Sequence, residues 1–238
     1  MKNANSLTLR RMLAIVLTAL LPISGHAYEI EPYVGFIIQG KSHTAFVEKD
    51  PSNSWESSYQ GDGHTYGNSL GLRIGFDFHR LVGLGYQYER GDITIVTRTG
   101  TVSDLWSTLY EASFGDVYKR TLHGPLLYCR LMPGFQVGAA YYFSSMEDIS
   151  GDYGLYGAHT NRGDKLKGDG YGTFLRAKFG HTQVSLEYRK FKMNEFTDAT
   201  PPPTGGTFRF GELRWSETFL SISFPIPIFG RSSAQSIL

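Results

Sequence analysis

Six histidines follow residue 27 of the 238-residue chain: His43, His64, His79, His123, His159 and His181. A histidine serves as a general base only with a nucleophile in hydrogen-bond reach and an acid behind it. Ser42-His43 and His64-Thr65 are the places where such chemistry could start, but no acid is tied to either by spacing. Glu147, Asp148, Asp152, Asp164 and Asp169 crowd one polar stretch together with Arg162, Lys165 and Lys167. They lack the ordered oxygen-ligand spacing of a calcium loop, so neither a metal site nor a cofactor is expected. Gly83-Leu-Gly85 has no strand–turn–helix setting and is not a phosphate cradle. Cys129 is the only cysteine, so no disulfide framework exists. No catalytic residue is assigned, and the chain is not expected to be an enzyme.

The charges that do fall in a pattern lie on alternating segments. In Ser69–His79, Leu70, Leu72, Ile74, Phe76 and Phe78 take one face, while Gly71, Arg73, Gly75 and Asp77 take the other. The same period of two runs through Val82–Glu89, Phe135–Phe143, Tyr171–Phe179 and Val184–Arg189. It is weaker in Ile30–Ile38, Leu122–Leu131 and Thr218–Phe224. That makes eight strands. Short connections near 80–81, 132–134 and 180–183 alternate with long polar ones at about 40–65, 91–118, 144–168 and 192–212. Tight turns therefore gather at one end and long loops at the other, as in an up-and-down transmembrane barrel.

Composition agrees with an exported barrel and excludes other classes. The 28 glycines accompany 16 Phe, 15 Tyr and 3 Trp, and the mean hydropathy is −0.24. A polytopic helical membrane protein and a disordered chain are both excluded. A net charge of +1 offers no footprint for nucleic acid. Residues 1–27 carry Lys2, Arg10 and Arg11, an apolar run from Met12 to Leu21, and Gly25 and Ala27 at the −3 and −1 positions. This is the secretory signal pattern. The expected organisation is a signal peptide at 1–27 and a barrel domain at 28–238, with strands within 28–224 and a tail at 225–238.

Alternation alone does not say which face points inward, because a soluble barrel of the lipocalin sort hides its apolar face inside and a membrane barrel shows it to lipid. The make-up of the polar face decides. The Gly-rich face carries balanced charges: Arg73, Arg130, Arg176, Lys178 and Arg189 against Glu31, Asp77, Glu89, Glu187 and Glu217. Such a face suits a tight lumen where charges must pair, and the apolar face is left for lipid. Hairpin parity makes the pairing explicit. Phe179 facing Val184 places Arg176 opposite Glu187. Leu131 facing Phe135 puts Tyr128 over Gly138 and Arg130 beside Gln136. Phe78 facing Val82 sets Arg73 against Gln87, with Glu89 diagonal. His123 and Cys129 fall on the lipid-facing parity.

Segments such as Leu72-Arg-Ile-Gly-Phe-Asp-Phe78, Leu84-Gly-Tyr-Gln-Tyr88, Val184-Ser-Leu-Glu-Tyr188 and the closing Phe219-Leu-Ser-Ile-Ser-Phe224 carry a resemblance. Over residues 28–224 the chain resembles the small outer-membrane β-barrels of Gram-negative bacteria, of the OmpA-barrel, OmpX and opacity-protein type. The resemblance implies an all-β, eight-stranded antiparallel barrel in the outer membrane. Its partners would be outer-membrane lipids, lipopolysaccharide and the assembly machinery, with host or surface ligands at the loops. Family members commonly end on an aromatic residue, whereas here Pro225-Ile-Pro-Ile-Phe-Gly230 follows Phe224. Loop aromatics at Trp55, Tyr59, Trp106, Tyr110, Tyr153 and Tyr156 are the candidate contact residues. The expected role is structural or adhesive. The alternatives are a narrow channel for small or apolar solutes and a lipid A-modifying enzyme with His43 or His64 as base.

Overall fold

A computed structural model describes residues 28–50, 55–79, 81–103, 110–111, 114–150, 162–197 and 207–229. Eight long strands form one sheet: β1 (Tyr28–Asp50), β2 (Trp55–His79), β3 (Val82–Ser103), β4 (Phe114–Met132), β5 (Phe135–Asp148), β6 (Lys165–Phe179), β7 (Thr182–Thr197) and β8 (Thr207–Ser223). Each pairs antiparallel with the next. β8 then pairs with β1, with Val34 beside Ile222 and Thr44 beside Leu213, which closes the ring. Closure removes the sheet edges, so every strand backbone is satisfied within the protein.

The period of two splits the barrel into two surfaces. Phe36, Leu70, Leu72, Ile74, Leu127, Leu175 and Leu186 stand exposed on the outside. Exposed Tyr66, Tyr88, Phe143, Tyr171 and Tyr188 border this band towards the loop end, where an aromatic girdle belongs. An apolar belt of this extent around a closed barrel is a lipid-facing surface. Cys129 is exposed within it.

The strands run well past that belt. β1 has 23 residues and β2 has 25, against about 10 needed to cross a bilayer at a tilt. The long connections expected at 40–65, 91–118 and 192–212 are therefore largely strand, and the one at 144–168 is strand at its two ends, which corrects the sequence reading. Beyond the bilayer the outer face of a strand meets water and turns polar, while inward positions such as Ile93, Met146, Leu166 and Met193 stay buried, so the apolar outer stripe fades while the ladder of backbone hydrogen bonds continues. The connections themselves, at 51–54, 104–109, 151–161 and 198–206, lie outside the described residues, as do 1–27.

A second correction concerns the C-terminal end. The strand set does not stop at 224: Ile226–Phe229 pairs with β1, Ile226 beside Ile30 and Phe229 beside Tyr28. Pro225 has no backbone N–H, so the ladder breaks there. Phe224 N–H still donates to Pro32 O at 3.1 Å, and pairing resumes one residue later.

Glycines on the inner wall make room for rings from neighbouring strands. A Cβ on Gly71 would lie 2.1 Å from Tyr33 Cζ, one on Gly35 2.0 Å from Phe219 Cζ, and one on Gly83 2.2 Å from Tyr128 Cζ. The aromatics are thus shared between the two faces, more of them exposed outside than buried within. Gly71→Val should destabilise the barrel by about 1–3 kcal/mol through overpacking. Gly115→Val, where only Val96 Cγ2 lies near at 3.8 Å, should be close to neutral. Urea unfolding read by heat-modifiable gel mobility measures both, and equal midpoints would refute the packing account.

Candidate functional site

The inner face is a continuous charged network under an apolar cap. Register delivers its members: inward positions on β1, β2, β3, β4, β6, β7 and β8 bring Glu31, Arg73, Glu89, Arg120, Arg176, Glu187, Arg189 and Glu217 together, all buried. Four arginines meet four glutamates. At the centre, Arg189 Nη2 lies 2.8 Å from Glu187 Oε2 and 3.0 Å from Glu89 Oε2, and its Nη1 lies 3.3 Å from Glu217 Oε1. Its guanidinium sits 3.7 Å over the Phe219 ring. Arg120 bridges Glu217 at 2.7 Å and Glu89 at 3.1 Å. Towards the turn end, Arg73 bonds Glu31 at 2.8 Å and also Glu187, linking the two layers. Arg176 is held more loosely, 3.8 Å from Glu31 and stacked on Phe174.

Neutral donors complete the network. Tyr33 Oη donates to Glu89 Oε2 at 2.8 Å, Tyr142 Oη to Glu187 Oε2 at 3.2 Å, and Trp215 Nε1 to Glu217 Oε2 at 3.0 Å. Above it, Phe191 stacks on Trp215 at 4.7 Å. Ile93, Met146, Leu166, Met193 and Leu213 fill the same level and are fully buried. Arg189, Gln87, Glu89, Glu187, Glu217, Tyr142 and Phe219 are each no more than 1% exposed, so the barrel axis is filled by side chains at this height.

Not every charge read as lumenal lies in this sealed part. Asp77 and Arg130 pair at 2.6 Å in a partly exposed layer near the turns, where Tyr128 Oη donates to Asp77 at 2.8 Å. Lys178 reaches Glu29 at 3.4 Å at the exposed rim. Arg176 faces Ser185 across the hairpin, and Glu187 faces Phe174. The expected Arg176–Glu187 register is wrong because the turn starts from Phe179 beside Thr182, two residues earlier than Val184. Arg73 does face Gln87, and Arg130 faces Gln136. Tyr128 is registered with Gly138, but its ring covers Gly83, and Phe174 fills the space over Gly138. Sequence reasoning missed Arg120, although continuing the inward parity of Leu122, Leu126 and Tyr128 by one step reaches it.

The outside carries the remaining polar candidates. His43 Nδ1 lies 2.7 Å from Asp62 Oδ1, cross-strand neighbours on β1 and β2. His123 Nδ1 lies 2.7 Å from Tyr86 Oη and packs near Phe143, at the border of the apolar belt. Trp55 and Tyr59 belong to β2, not to a loop. Tyr110 pairs with Val102 of β3. Trp106, Tyr153 and Tyr156 lie outside the described residues.

The ring closure and the outer apolar belt decide the architecture. The chain is a closed eight-stranded antiparallel β-barrel with a lipid-facing outer belt. No protein-family model matches it, and no curated protein sequence does. Among solved structures it is similar to the attachment invasion locus protein Ail of Yersinia pestis, solved with the heparin analogue sucrose octasulfate. That likeness has 10% identity and a TM-score of 0.43, covering 86% of this chain and 100% of that one. It is also similar to the outer membrane protein OprG of Pseudomonas aeruginosa, with 12% identity, a TM-score of 0.42, and 87% and 97% coverage. The outer membrane protease OmpT of Escherichia coli gives 12%, 0.40, 87% and 99%.

Removing one partner from a buried ion network leaves uncompensated charge. Arg189→Met should cost about 3–5 kcal/mol in urea unfolding of the refolded barrel. A loss under about 1 kcal/mol, the range of an exposed pair, would show that the centre is hydrated and weakly coupled.

Proposed function

We propose that the chain is exported behind a leader at residues 1–27 and acts in the outer membrane as a non-conducting barrel with a structural and surface-interacting role. The observation that carries this reading is the axis filled by the Arg189 network and the Phe191–Trp215 cap. The strand extensions beyond the apolar belt add a rigid platform for external contacts. Trp55, Tyr59 and Tyr110 on the extensions, together with Trp106, Tyr153 and Tyr156 in the connecting sequence, are the proposed contact residues. Outer-membrane lipids and the assembly machinery are its proposed partners during insertion.

Planar-bilayer recording tests the sealed axis. The refolded protein should give no discrete conductance steps, and steady channel steps would favour the solute-channel reading. One observation favours a second reading: the His43–Asp62 pair supplies an oriented base on the outer face. Mass spectrometry of lipid A from cells with and without the protein tests it. Unchanged lipid A ends that reading; a mass shift abolished by His43→Ala would replace the structural role with a lipid-modifying one.

A further inference from the structure

Closure gives each of the eight long strands a neighbour on both sides, but the short strand Ile226–Phe229 lies beyond that ring. It pairs with β1 through Ile226 beside Ile30, Pro227 beside Glu29 and Phe229 beside Tyr28. No strand among the described residues lies on its other side. The β7–β8 ladder has already ended at Gln183 beside Ser223, next to the turn at 180–181. The strand is also apolar and open: Phe224, Ile226 and Ile228 are 55%, 54% and 43% exposed. A short apolar strand with an unpaired edge is a template on which another strand can add.

Register decides what that edge offers. Phe224 N–H donates to Pro32 O at 3.1 Å, and the same register continues to Ile226 beside Ile30. The N–H and C=O of one strand residue leave on the same side, and successive residues alternate sides. Phe224, Ile226 and Ile228 therefore turn their amides to β1, while positions 225 and 227 face the open edge. Both of those positions are proline. Neither has an N–H to give, so between Phe224 and Ile228 the open edge carries carbonyl acceptors and no donor. An antiparallel neighbour exchanges two bonds at each hydrogen-bonded pair, and here it would receive none in return. Proline at such outward edge positions is one of the ways a sheet is ended.

We propose that Pro225 and Pro227 keep the ring-closing seam one-sided: Ile226–Phe229 clasps β1, and a second copy of the chain cannot add to its open edge. The barrel is thereby held as a monomer at the place where its sheet would otherwise continue. This one-sidedness follows from backbone register and is independent of the role proposed above.

Pro225→Ala/Pro227→Ala restores two outward amides without touching the β1 ladder. The refolded mature chain, with Cys129→Ala to prevent disulfides, is compared with this variant in detergent micelles over a range of protein concentrations. Sedimentation velocity should find one chain per micelle for the parent. The double variant should shift to two, with slow hydrogen exchange at the amides of positions 225 and 227. Pro227→Ala alone should shift less, and it carries the test if the double variant does not fold. Pro32→Ala, whose amide faces Phe224 inside the ladder, should remain monomeric. Heat-modifiable mobility establishes that each variant is folded. A folded double variant that stays monomeric at every concentration overturns the proposal. Association with both amides in fast exchange does so too, because the contact is then made by side chains. Equal association of Pro32→Ala has the same consequence, as does a parent chain that dimerises when cut after Phe229, since the tail and not the prolines then guards the edge.

Discussion

Eight ionised side chains enclosed in a narrow barrel can exist only as a neutral, mutually bonded set, and that requirement shapes the rest of the molecule. Taking an isolated carboxylate or guanidinium out of water costs several kcal/mol even after relaxation. Arg189 resolves this by contacting three glutamates at once, and Arg73 and Arg120 extend the same neutralisation to either side. The eight residues come from seven strands, with Glu187 and Arg189 sharing β7. A slip of one residue in any strand would turn its charge out to lipid, so the network specifies register as well as filling space.

Glycine and aromatic residues divide the remaining volume. Rings at Tyr33, Tyr128, Phe174 and Phe219 lie against glycine backbone on the facing wall, where any Cβ would collide. This lets large side chains cross a lumen too narrow for two of them side by side. The same rings bring donors to the charges, as Tyr33 does for Glu89, so packing and neutralisation are achieved by one set of residues.

The outer surface obeys the opposite rule. Where the strands meet hydrocarbon they show mainly apolar and aromatic side chains, and the polar ladder of the backbone is hidden by closure. Past the aromatic border the same strands continue in water with charged side chains. One barrel wall thus serves three solvents: a dry interior, a lipid belt and an aqueous rim.

Strand number, the tight turns and the placement of nine of the ten charges read as lumenal, all but Lys178, were legible from period-two spacing, because a strand's two faces follow parity alone. Lys178 shares the parity but lies so near the turn that its side chain reaches the exposed rim. Parity also held at Arg73 beside Gln87 and at Arg130 beside Gln136. It failed at the β6–β7 turn, where the pairing starts from a different residue, and it was stopped too early before Arg120 and Lys190. The strand extensions left only a weak signal, since their outer face meets water and carries polar side chains, while the inner face alone keeps buried apolar residues such as Ile93, Met146 and Leu166. Which arginine meets which glutamate was decided only by tertiary structure. Inward side chains from strands far apart in sequence, such as Glu89 and Arg189, meet across the axis, and that distance depends on how the ring closes and not on any local pattern.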